Sequence, residues 1–108
     1  MGRMRNSTAK PPKHLSSEAR RWWARISECY EFSGDDAALL LLQTAMEAFD
    51  AMRQAEAALA RDGWIQPDRF GVVRAHPMAA VLRDSRAAMM RALKALNFDI
   101  APPEAGGR

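Results

Sequence analysis

Apolar positions recur along this chain at helical spacing, lose that period once, and then resume it. Ala19, Trp22, Trp23, Ile26, Cys29 and Tyr30 fall three to four residues apart or side by side on one arc, the spacing of one face of an α-helix. Ser16 or Ser17 can cap this first helix, and Glu18 suits its first turn. It is expected to end near Glu31, where Ser33-Gly34-Asp35 breaks the chain and supplies the next cap. A second helix is predicted from Asp36 to Asp62, with Gly63 as its stop. At about 1.5 Å per residue it forms a rod of roughly 40 Å.

That second helix has a narrow polar stripe of Asp36, Gln43, Glu47, Asp50, Gln54 and Arg61. Two apolar stripes flank it, one of Leu42, Met46 and Phe49, the other of Leu41, Ala45, Ala48, Met52, Ala55 and Leu59. A helix packed on one side needs a single wide stripe. Three short helices of one chain can cover both, but the preferred reading is packing between subunits. On that reading Leu41, Leu42, Met46, Phe49, Met52 and Leu59 form an oligomer interface.

The helical period then stops. Trp64-Ile65-Gln66 and Val72-Val73-Arg74 read as short strands around Pro67-Asp68-Arg69-Phe70-Gly71. Asp at the start of the turn and Gly at its end fit a hairpin built on a type I turn. A lone two-stranded hairpin is marginal, so Trp64 and Phe70 are expected to rest it on the helices. Pro77 suits the first position of a third helix. Met78, Val81, Leu82, Ser85, Met89, Ala92, Leu93 and Leu96 give that helix its apolar face, and Asn97 ends it. The expected fold is mainly α: a three-helix subunit with a long central helix, a small β-hairpin between helices two and three, and flexible termini. Residues 1–14 read as a basic arm, 15–97 as the helical core and oligomerisation domain, and 98–108 as a Pro/Gly-rich tail.

Charge changes this picture at one end. The chain has 108 residues and a net charge of +3. Residues 1–25 hold seven basic side chains, Arg3, Arg5, Lys10, Lys13, Arg20, Arg21 and Arg25, against Glu18 alone. The remainder is mildly acidic. A basic arm on an acidic body points to a polyanion, with nucleic acid the leading candidate, or else to a solvated tail that aids solubility. Arg83, Arg86, Arg91 and Lys94 gather on the outer face of the third helix, where a solvated charge face is preferred over a DNA site.

Catalytic chemistry is hard to place. Neither a Gly-x-x-x-x-Gly-Lys nor a Gly-x-Gly-x-x-Gly loop is present. His14 and His76 lack Cys or His companions at ligand spacing, so no metal site and no cofactor are expected. His76 reads as a helix-start residue. Cys29, the single cysteine, reads as a core thiol and fits a reducing compartment. Asp35-Asp36 is better explained by capping than by catalysis. Trp22-Trp23 can stack on bases, but packing is the preferred reading, more firmly for Trp22 than for Trp23. No apolar run approaches the roughly 20 residues that span a bilayer, and no apolar signal core is visible at the N-terminus.

The order of several short segments adds a family likeness. Pro11-Pro12-Lys13-His14-Leu15 leads into Arg21-Trp22-Trp23, then a Leu-rich helix, Asp68-Arg69-Phe70-Gly71, and His76-Pro77 at the third helix. Over Pro11 to Leu96 this order and spacing resemble the small terminase subunit of head-to-tail, cos-type tailed bacteriophages. The resemblance implies a non-enzymatic subunit in the cytoplasm of the bacterial host. It implies a homo-oligomeric ring, commonly of about eight to twelve copies. Its partners would be double-stranded viral DNA and the large terminase subunit, which carries the ATPase and nuclease. Many small terminases carry a helix-turn-helix domain, and the arm before His14 is too short for one. Several weak basic arms in a ring would grip DNA through avidity instead. The competing readings are a helical adaptor that binds only protein and, far behind, a small enzyme.

Overall fold

The computed structural model describes residues 10–29 and 35–97. The elements are α1 (Ser17–Cys29), α2 (Asp36–Asp62), β1 (Ile65–Pro67), β2 (Val73–Ala75) and α3 (Pro77–Asn97). The protein is mainly helical, with a two-stranded antiparallel hairpin between α2 and α3, as the apolar pattern predicts. Tyr30 and Glu31, the expected end of the first helix, lie outside the described residues, as do Ser33 and Gly34.

Helix α2 is bounded by its caps. The Asp35 side chain accepts the Ala38 N–H at 3.0 Å, satisfying one of the orphan donors of the first turn. Gly63 takes φ 86° with ψ 155° and donates its N–H to the Leu59 carbonyl at 2.8 Å, a positive-φ backbone that glycine adopts at least cost. Helix α1 is capped by Ser16, whose Oγ accepts the Ala19 N–H at 3.0 Å.

Both α1 and α3 pack on α2 and scarcely touch each other. The core runs from Leu15, Ala19 and Trp23 through the α2 positions to Leu82, Ala92 and Leu96. The residues expected at an oligomer interface lie in or against this core. Leu42, Met46, Phe49, Met52 and Leu59 are buried inside the subunit, and Leu41 is half-buried against the same core. Residues of both stripes thus belong to the chain's own core.

The hairpin lies one residue later than the pattern suggests, with Ile65 opposite Ala75, Gln66 opposite Arg74 and Pro67 opposite Val73. The loop sets this register. Gly71 donates its N–H to the Asp68 carbonyl at 2.9 Å, and Asp68 donates to the Val72 carbonyl at 2.8 Å. Gly71 has φ 80°. This is a three-residue loop closed by a hydrogen bond from its last residue, a positive-φ glycine, back to Asp68. His76 donates its N–H to the Trp64 carbonyl at 2.8 Å. Pairing at residues 64 and 68 puts Pro67 at a position whose missing N–H costs no ladder bond.

Trp64 and Phe70 do not rest on the helices; both are exposed, Phe70 by 79%. The hairpin is held at its base by polar contacts instead. Gln66 donates to the Asp62 carbonyl at 3.1 Å, and His76 Nε2 lies 2.9 Å from Asp62 Oδ2.

Candidate nucleic-acid interface and exposed apolar surfaces

The roll of α1 about its axis decides which of its charges face outward. The Asp50 carboxylate, on the polar stripe of α2, accepts both the backbone N–H and the hydroxyl of Ser16. One turn earlier on α2, Glu47 accepts from His14 Nε2 at 2.8 Å and from Gln43 Nε2 at 2.9 Å. The Gln43 and His14 contacts hold the Glu47 carboxyl below its usual range. Two turns of polar stripe thus receive the segment that enters α1. Lys10 and Pro12 continue along it, lining a cleft of about 400 Å³ with Trp23, Leu39 and Leu40. The expected arm of residues 1–14 therefore divides: residues 10–14 lie on α2, while Arg3 and Arg5 fall outside the described residues.

With α1 so fixed, Ala19, Trp23 and Ser27 point inward. Trp22 is 43% exposed and Trp23 only 3%, which reverses the expected order of the two. Cys29, expected in the core, is exposed. Arg20, Arg21 and Arg25 are all exposed on the outer side of the helix. Among the described residues none of the three forms an ion pair, and neither do Lys10 and Lys13. Arg25 instead lies 5.5 Å over the Trp22 ring. Glu18, the one acid among the first 25 residues, is taken by Arg53 at 3.3 Å. The outer face of α1 is thus a mainly cationic surface, three arginines with Glu28 as the acid among them, and exposed arginines are the chemistry that meets phosphate oxygens.

The basic residues of α3 do not form one such set. Arg83 pairs with Asp84 at 3.1 Å and Arg86 reaches Glu56 at 3.4 Å. Arg91 and Lys94 form no ion pair among the described residues. Contacts to Arg53 and then Arg86 lower the Glu56 carboxyl, so this pair ties α3 to α2.

His76 is the second histidine, expected as a helix-start residue, and it takes that place. Its Nδ1 accepts the Met78 N–H at 3.0 Å and its carbonyl accepts the Ala79 N–H at 2.9 Å. Nδ1 is therefore unprotonated, and Nε2 carries the hydrogen donated to Asp62. Asp62 is also held by Arg61 at 2.8 Å. The Arg61 and His76 contacts lower its carboxyl to about 2.

Two surfaces carry no sequence expectation. The first is one face of the hairpin, where Ile65, Pro67, Val73 and Ala75 project together and are all exposed. The second is a cleft of about 310 Å³ left between α1 and α3, with Met46 and Phe49 at its floor. The alternation in Ile65-Gln66-Pro67 and Val73-Arg74-Ala75 marked the hairpin face, but only the helix packing reveals the cleft.

Among the described residues no three His, Cys, Asp or Glu side chains gather as a metal site. No described helix is long and apolar enough to cross a membrane. Fold and surface together define a small helical protein with a cationic helix face, an apolar hairpin face and an open inter-helix cleft. Compared with known protein families, curated proteins and solved structures, the chain matches none of them.

Proposed function

We propose that this chain is a phage terminase small subunit: a ring-forming, non-enzymatic component that binds double-stranded viral DNA and recruits the large terminase subunit for genome packaging in the host cytoplasm. The observation that carries the DNA-binding part is the outer face of α1, where Arg20, Arg21 and Arg25 stand exposed without carboxylate partners. Lys10 and Lys13 precede them on a segment fixed to α2. Arg3 and Arg5 extend the same charge in sequence. The family assignment itself rests on the resemblance of Pro11 to Leu96 to small terminases.

Phosphate contacts of this kind release counterions, so affinity falls steeply with salt. Titration of duplex DNA at several salt concentrations tests the reading. Replacing Arg20, Arg21 and Arg25 by Ala should lower the salt slope by roughly 0.9 for each phosphate no longer neutralised and leave thermal stability nearly unchanged. DNA binding by the triple variant with an unaltered slope would remove α1 from the interface. The adaptor reading is favoured by a different observation, the exposed apolar hairpin face and cleft. Unchanged DNA mobility at low salt, with the native protein, would decide for it.

A further inference from the structure

This chain carries two exposed apolar surfaces that do not meet each other. The convex one is the hairpin face, where Ile65 is 66% and Val73 64% exposed. Pro67 and Ala75 complete it, and no charge of either sign lies on it. It is pre-formed. The Asp68 carboxylate accepts the Phe70 and Val72 N–H groups at 2.8 and 3.0 Å and holds Arg74 at 2.9 Å, while His76 and Gln66 fix the base. The concave one is the cleft over α2, walled by Trp22 and Ile26 of α1 and by Met89 and Leu93 of α3.

The hairpin does not fill the cleft of its own chain. It leaves α2 after Asp62, about 20 Å along the helix from Phe49, and its apolar face is open. A chain with one convex and one concave apolar surface at different places holds the two halves of a head-to-tail contact. We propose that the hairpin face of one copy seats in the three-helix cleft of the next. This assignment rests on the ring reading above and names the surfaces that would build the ring once the α2 stripes are accounted for inside the subunit.

Charge selects a second copy over the other occupants. The hairpin face has nothing to recognise phosphate, which excludes it as a DNA contact. Six of the residues that line the cleft are apolar: Trp22, Ile26, Met46, Phe49, Met89 and Leu93. Arg53 also lines it and is paired with Glu18 and Glu56. An uncharged face enters such a cleft without burying an unpaired carboxylate or cation. Met46 and Met89 supply adaptable walls for it. One such contact per subunit covers both open surfaces at once.

Native mass measurement on four samples of the full chain tests this: the wild type, two variants, and their mixture. The wild type should form a higher-order species. A hairpin variant, Ile65→Lys with Val73→Lys, and a cleft variant, Trp22→Lys, should each be monomeric. All three side chains are exposed, so circular dichroism and the melting midpoint should stay near wild type; Trp22→Gln replaces the cleft variant if it does not fold. Each variant keeps the surface that the other lacks. Mixed in equal amounts they should give a species of twice the subunit mass with one intact junction. Variants that stay monomeric after mixing would overturn the head-to-tail contact, and a cleft variant that dimerises by itself would replace it with a symmetric hairpin-to-hairpin one. Assembly unaffected by either variant would overturn the inference and leave the ring reading standing. A monomeric wild type at micromolar concentration would overturn both. So would a monomer whose Trp emission responds to a synthetic acidic Leu/Glu amphipathic peptide, which would give the cleft to another partner.

Discussion

His76 joins three elements with one residue. It caps α3 through Nδ1, pairs with the last residue of α2 through Nε2, and closes the hairpin ladder through its backbone. Replacing it by Ala removes the cap and the tie to Asp62 together, and caps alone are worth about 1 kcal/mol. Urea unfolding should show a loss of about 1–2 kcal/mol, and His76→Asn, which can still cap, should recover part of it. Asp62 gives the same joint a pH dependence. Its carboxyl lies at about 2 against an ordinary 3.8. A depressed folded-state value means the contribution is present above 3.8 and is lost as pH falls toward 2. The other engaged carboxylates act in the same direction, since Glu47, Glu56 and Asp68 are all lowered by their partners. Thermal melts from pH 6 to about 2 should therefore show falling stability, and Asp62→Asn should flatten the lower part of that curve. An unchanged curve would mean that Asp62 has the same acidity in the unfolded chain.

At the scale of elements, α2 was legible because its ends carry chemistry: Asp35 as a cap and Gly63 as a positive-φ stop. The hairpin was legible for the same reason, through Asp68 and Gly71. What the pattern left open was the roll of α1. Trp22, Trp23, Ile26 and Cys29 span a wide arc, and the helical period does not say which edge of it is covered. Asp50 settles this by holding Ser16, which turns Ala19, Trp23 and Ser27 inward and leaves Trp22 and Cys29 at the surface. The fate of the α2 stripes was undetermined for a related reason, because an apolar stripe reads alike whether its cover comes from the same chain or the next. The structure makes Leu42 fully buried. Leu42→Ala should cost about 2–5 kcal/mol in denaturant unfolding, and the loss should be independent of protein concentration because the contacts are internal. Gly71→Ala tests the hairpin. An added Cβ meets nothing within 4 Å, but φ is +80°, so the cost is the left-handed backbone alone, about 1–2 kcal/mol.

The whole molecule combines a polar docking of the entry segment, a core shared by three helices, and surfaces left for other molecules. The exposed arginine face follows from the first of these: fixing His14 and Ser16 to α2 holds α1 with its arginines outward. The open cleft follows from the second, since α1 and α3 pack on α2 without closing over it. Cys29 offers a test of the contact proposed at the cleft between them. It is the single cysteine and it is exposed. It lies three and seven residues beyond Ile26 and Trp22, the spacing of one helix face. A neighbour seated in the cleft would cover that face, whereas a neighbour bound elsewhere would leave it open. The rate at which an aromatic disulfide reagent modifies Cys29 should therefore fall as protein concentration rises through the range of assembly. Ile65→Lys with Val73→Lys should keep the rate fast at every concentration. A rate that stays constant while the wild type assembles would place the subunit contact away from α1.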